Sequence, residues 1–144
     1  MTIKQLSVFL ENKPGQLVEA LETLANADID LRALSLADTA DFGILRVIVP
    51  NPDHAFNVLK EVGYIVMINE VIPVAVGDKP GSLAAVLRIL ADRDIDVEYT
   101  YAFVSHSKDR AFVILRIASE NEFAIKILKE NNVTLITEAD LFEK

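Results

Sequence analysis

Apolar and polar residues alternate over 4–10, placing Leu6, Val8 and Leu10 on one face, so this stretch is expected to be a β-strand. The period then changes. Leu17, Leu21, Leu24 and Ala25 recur at the spacing of one helical face, while Glu19 and Glu22 fall outside it. Strands are expected over 30–37 and 44–49, around a turn at 38–43 whose Asp and Gly residues suit turn geometry. Pro52 opens a second helix that carries Phe56 and Leu59 inward, Gly63 closes it as a left-handed residue, and 64–68 is a last strand.

The plan occurs twice. Asn12-Lys13-Pro14-Gly15-Gln16-Leu17 returns as Asp78-Lys79-Pro80-Gly81-Ser82-Leu83 at an offset of 66, and half of the positions from 12 to 31 are identical in that register. Leu45-Arg46-Val47 and Leu115-Arg116-Ile117 suggest a drift to 70, and Leu59-Lys60 with Leu128-Lys129 a return to 69. Asn132 takes the place of Gly63. The second copy predicts strands over 71–76, 96–104, 111–118 and 133–137, with helices over 80–91 and 121–130. No Gly- or Ser-rich linker intervenes, and 66–76 is almost continuously strand-like, so the last strand of one copy is expected to run into the first of the next and couple the halves rigidly. Two βαββαβ units with helices on one face of an antiparallel sheet are the ferredoxin-like α+β architecture.

Composition narrows the chemistry. Of 144 residues 51% are hydrophobic and 25% charged, enough apolar surface for a core. The apolar runs are too short for a membrane span, no secretory or transit segment is evident, and a cytoplasmic location follows. A net charge of −8 opposes nucleic acid and anionic lipid. The absence of cysteine removes disulfides and thiolate chemistry, and His54 and His106 have no neighbours at metal-ligand spacing. Stretch 108–115 fits the RNA-binding octamer at Ala111, Phe112 and Val113 but lacks its aromatics at Arg110 and Leu115, so Phe112 is read as core. Ser105-His106-Ser107 is a polar turn rather than a catalytic group, since spacing supplies no organising carboxylate. Tyr99 and Tyr101 share a strand face and line a side-chain pocket, the core or a subunit contact.

The duplicated Pro-Gly junction remains. Pro14 and Pro80 are expected at the first helical position, leaving the free amides of the helix end as a seat for an anion, with Gly15 and Gly81 allowing close approach. Plain turn chemistry, with Asn12 and Asp78 in local side-chain turns, is the alternative. The ordered set of Asn/Asp-x-Pro-Gly-x-Leu, a Leu-x-x-Leu helix and Asp-Ile-Asp before strand two resembles the ACT domain, a regulatory module of amino-acid metabolism, in two copies at 1–69 and 70–144.

That resemblance implies units that pair side by side, as in a homodimer, and hold a free amino acid between them without a cofactor or catalytic residues. Asn12 and Asp78 match the ligand-gripping position, and Asp30 and Asp96 a second polar position supplied by a neighbouring unit, unless they are solvated charges. The ligand carboxylate is then expected on backbone N–H groups around Pro14-Gly15-Gln16-Leu17 and Pro80-Gly81-Ser82-Leu83, and its ammonium on Asn12, Asp30, Asp78 and Asp96. Lys13 and Lys79 either complement the carboxylate or lie in solvent. Leu10 and Val76 stand where serine-sensing members carry histidine. The protein would act through its oligomeric state or on an enzyme in trans; the rival reading is an association module that binds nothing small.

Overall fold

The computed structural model describes residues 1–38, 41–103 and 109–142. Two compact units emerge: Lys4–Asn69, and Glu70–Lys144 together with Met1–Ile3. The first contains β1 (Ile3–Glu11), α1 (Gln16–Asn26), β2 (Ala33–Asp38), β3 (Phe42–Ile48), α2 (Pro52–Val62) and the beginning of β4 (Ile65–Gly77). The second takes the rest of β4, then α3 (Ser82–Ala91), β5 (Val97–Phe103), β6 (Arg110–Ile117), α4 (Asn121–Glu130), β7 (Thr134–Leu135) and α5 (Glu138–Phe142). The strand-like run across 66–76 is thus one strand. No helix among the described residues is long and apolar enough to cross a membrane.

Strand order in the first unit is β2-β3-β1-β4, and β5-β6-β4-β7 in the second. The order follows from packing a helix after β1 and another after β3 onto one sheet face. Leu6, Val8 and Leu10 are buried there against Leu45 and Val47 of β3, Ala20 and Leu24 of α1, and Ala55 and Leu59 of α2. Ala20, five residues earlier, takes the buried place expected of Ala25, which is exposed. The second core repeats this with Ile72, Val74 and Val76 under Val86, Leu90, Ala124 and Leu128. Phe112 lies outside that set, half-buried edge-to-face on Phe103 at 5.5 Å.

Strand register corrects the drift seen in the sequence. Leu6 pairs with Val47 and Ile72 with Leu115, so with Leu6 matched to Ile72 the third strands correspond at an offset of 68, two residues from the apparent Leu-Arg-Val match. A slip of two preserves which face every side chain occupies, so the hydrophobic pattern cannot detect it.

All four repeat helices stop the same way. Asp28, Gly63, Asp94 and Asn132 carry positive φ. The amide after each bonds back to a carbonyl five residues earlier in the chain, as Ile29 to Leu24 and Ile95 to Leu90, both at 3.0 Å. This is the Schellman arrangement, and it explains two of the three residues of the repeated Asp-Ile-Asp: the first aspartate tolerates the left-handed position and the isoleucine turns inward. β7 stops at Leu135, two residues short of the strand expected to 137, and α5 follows from Glu138. Thr137 accepts from the Asp140 amide at 3.1 Å and Asp140 accepts from the Thr137 amide at 3.2 Å, a reciprocal capping box. The Thr137 hydroxyl and amide together hold the Asp140 carboxyl below its usual range.

Candidate functional site

The β1–α1 junction is built differently from the proline-opened helix expected. Gly15 is the residue preceding α1, at φ 91° and ψ −18°, and the Gln16 amide donates to Lys13 O at 3.4 Å. Pro at the second position and a positive-φ glycine at the third define a type II turn over Lys13-Pro14-Gly15-Gln16, so Pro14 lies before the helix rather than at its first position. The second copy is the same: Gly81 sits at φ 87° and the Ser82 amide donates to Lys79 O at 3.2 Å.

The turn consumes one amide per helix end. The first intrahelical donor of α1 is Glu19, onto Gly15 O at 3.0 Å, and of α3 Ala85, onto Gly81 O at 3.0 Å. Leu17 and Val18, and likewise Leu83 and Ala84, therefore precede the helical ladder. No side chain caps either helix. Their amides point out of the helix end, where the dipole favours negative charge.

In the first unit this end opens onto a cavity of about 440 Å³. Asn12, Lys13, Pro14, Gly15, Gln16 and Leu17 all line it, together with Leu10, Glu11, Leu36, Asp38 and Gly43. The size is that of a small-molecule site. Asn12 donates through Nδ2 to Asp38 Oδ1 at 3.3 Å, which leaves Asn12 Oδ1 as an acceptor. Lys13 is held by Glu11 Oε2 at 2.9 Å, and that hydrogen bond raises the lysine's pKa and keeps it charged. One carboxylate, Asp38, is left without a cationic partner in the lining.

The residues of both junctions and both units so described bear comparison with known proteins, and the family model of the ACT domain pair matches residues 1–144. The chain belongs to the ACT domain pair family. It is similar to protein BT0572 from Bacteroides thetaiotaomicron, with 42% identity, coverage of 100% of this chain and 98% of that one, and a TM-score of 0.90. The regulatory subunit of aspartate kinase from Thermus thermophilus, in its ligand-free form, shares the ACT fold at 18% identity over 88% of this chain and 91% of that one, with a TM-score of 0.62. The same subunit from Thermus flavus gives 16%, 88%, 90% and 0.63. No curated protein matches the chain.

Not every ACT-derived expectation gathers at this site. Asp30 is exposed ahead of β2, whereas the cavity sits at the far end of that strand, beside Asp38. Asp96 is likewise exposed ahead of β5. Asp78, Lys79, Pro80 and Gly81 are exposed and Ser82 and Leu83 half-buried around the second turn, where the Asp78 amide donates to Asp109 O at 2.8 Å. Tyr99 and Tyr101 are half-buried on β5. Ser105, His106 and Ser107 lie outside the described residues.

Leu36, Asp38 and Gly43 were not anticipated. Topology alone would have found them: β2 runs parallel to β1 with β3 between, so the end of β2 and the start of β3 must flank the end of β1. Asp38 pairs with Gly43 and Gly43 with Leu10.

The turn glycines make a separable prediction. A Cβ at Gly15 or Gly81 would meet no atom within 4 Å, so the cost of alanine there is conformational only. Gly15→Ala and Gly81→Ala are each expected to lose about 1–2 kcal/mol in urea unfolding, and Gly15→Asn less. A stability equal to the parent's would show that the residue abandons its positive φ.

Proposed function

We propose that this ACT domain pair is a non-catalytic, cytoplasmic amino-acid sensor. A free amino acid binds at the β1–α1 turn of the first repeat, 1–69, with the turn of the second repeat, 70–144, as a candidate second site. The observation that carries the reading is the cavity lined by all six residues of Asn12 to Leu17 and by Asp38. A zwitterion meets complementary groups there: the Leu17 amide at the helix end for the α-carboxylate, and Asp38 with Asn12 Oδ1 for the α-ammonium. Asp38 offers this carboxylate from within the unit, whereas the resemblance draws Asp30 from a neighbouring unit.

Signalling would pass through association of copies as a homodimer or through an enzyme in trans. Among the described residues β2 is an edge strand, and Leu34 and Leu36 on it are each 48% exposed, a surface suited to pairing. The same observation favours the rival reading of an association module that binds nothing small. Thermal unfolding against the twenty amino acids separates them. At about 100 times its dissociation constant a ligand stabilises the native state by about 2.7 kcal/mol, several degrees in Tm. A uniformly flat response would leave the association module.

A further inference from the structure

We infer that the first-repeat cavity selects a neutral amino acid with an aliphatic side chain, and that Leu36 and Gly43 set the size it accepts. This rests on the amino-acid-binding reading and adds the ligand class. Once the α-groups are placed, the apolar walls are Leu10, Leu17, Leu36 and the bare backbone of Gly43, and the rest of the lining is the turn itself with Gln16 and the paired Glu11 and Lys13. Leu10 is buried and Leu17 half-buried, so two of the walls are fixed by the core.

Charge disfavours acidic and basic side chains. An acidic ligand side chain would face Asp38 and Glu11, with the one lysine of the lining already held by Glu11 at 2.9 Å. A basic side chain would have to displace Lys13 from Glu11, since Asp38 is engaged by the α-ammonium. An aliphatic chain needs no polar partner and removes apolar surface of three leucines from water.

Gly43 is what keeps the space open. A Cβ there would stand 3.3 Å from Leu36 Cδ1 and 3.5 Å from Ala37 O, so alanine needs the end of Leu36 to give by a few tenths of an ångström and bulkier residues more. The second repeat solves the same hairpin differently. Ala111 pairs with Val76 as Gly43 pairs with Leu10, and Ala102 pairs with Val113 as Leu36 pairs with Leu45. A Leu-Gly pair in one unit and an Ala-Ala pair in the other give the two turns differently shaped walls.

The test is calorimetric titration of the full chain with L-leucine, L-valine, L-alanine, L-aspartate and L-lysine. Binding lost in Gly15→Val but retained in Gly81→Val is assigned to the first turn. Leucine or valine is expected to bind there at least about tenfold more tightly than alanine, aspartate or lysine. Leu36→Ala should reduce the leucine-to-alanine affinity ratio about tenfold. A change in dimerisation would instead shift all ligands together. The Leu36→Ala/Gly43→Ala double variant carries the second repeat's own pair, so it is compatible with the hairpin, and it should show the same loss of ratio. Aspartate or lysine binding through the first turn as tightly as leucine overturns the side-chain assignment and leaves the sensor reading standing. So does a ratio that neither variant changes. No binding by any of the five, with none of the remaining amino acids binding either, overturns the sensor reading itself.

Discussion

Asp38→Ala is expected to weaken amino-acid binding roughly a hundredfold, about 3 kcal/mol, in calorimetric titration. The loss has two parts. An ammonium held against a carboxylate in a partly enclosed cleft loses the one uncompensated counter-charge among the described lining residues, because Glu11 is occupied by Lys13. Asn12 also loses the acceptor that orients it, Asp38 Oδ1 at 3.3 Å, so its own oxygen no longer faces the ligand. Asp38→Asn keeps an acceptor for Asn12 and removes the charge, so it should fall between the parent and alanine. Asp30→Ala should leave affinity unchanged, since Asp30 is exposed at the other end of β2. If Asp30→Ala instead weakens binding as much as Asp38→Ala, the ammonium is held by an aspartate from a second copy.

That contrast between Asp38 and Asp30 marks what one-dimensional reading reaches. Period and punctuation carry the architecture: the alternation of Leu6, Val8 and Leu10 and the positions of Pro52, Gly63 and Asn132 each reflect a local rule that the fold obeys. Repetition carries the turn, because two copies of Lys-Pro-Gly share one backbone need, a positive φ at Gly15 and Gly81. The role of the proline was harder to see. Pro-Gly suits a type II turn and Pro suits a helix start, and only the φ of the glycine decides between them.

Where the sequence misleads, two local meanings compete. Asp28 and Asp94 stop helices, yet beside Asp30 and Asp96 they look like part of a binding motif. Thr137, read as the end of a strand, instead forms a capping box with Asp140 at the start of α5. Leu36, Asp38 and Gly43 were missed for another reason. Each joins the site through strand order, and no spacing along the chain encodes that β2 lies two strands from β1. Once the βαββαβ plan is granted, that information is available without coordinates.

Leu59→Ala in α2 is expected to destabilise the protein by about 2–5 kcal/mol, the largest stability effect of any single truncation considered. Leu59 is fully buried among Leu6, Val8, Leu24, Leu45 and Val47, and strand backbone beneath it cannot collapse into the space left behind. For a unit of this size that corresponds to a fall in Tm of roughly 10–25 °C. Leu128→Ala, at the equivalent place in α4 and equally buried, should cost a similar amount through the second core. Leu36→Ala serves as the control on the same scale. Its side chain is 48% exposed on an edge strand, so its loss should cost less than about 1 kcal/mol while altering ligand preference. Stability and recognition therefore separate along the chain. Leu59→Ala should bind its amino acid with parental affinity at temperatures where it remains folded, because no atom of α2 lines the cavity. A Leu59→Ala variant that melts within a degree or two of the parent would mean that α2 does not cover the sheet, and the frame that positions Asn12, Gly15 and Asp38 would have to be redrawn.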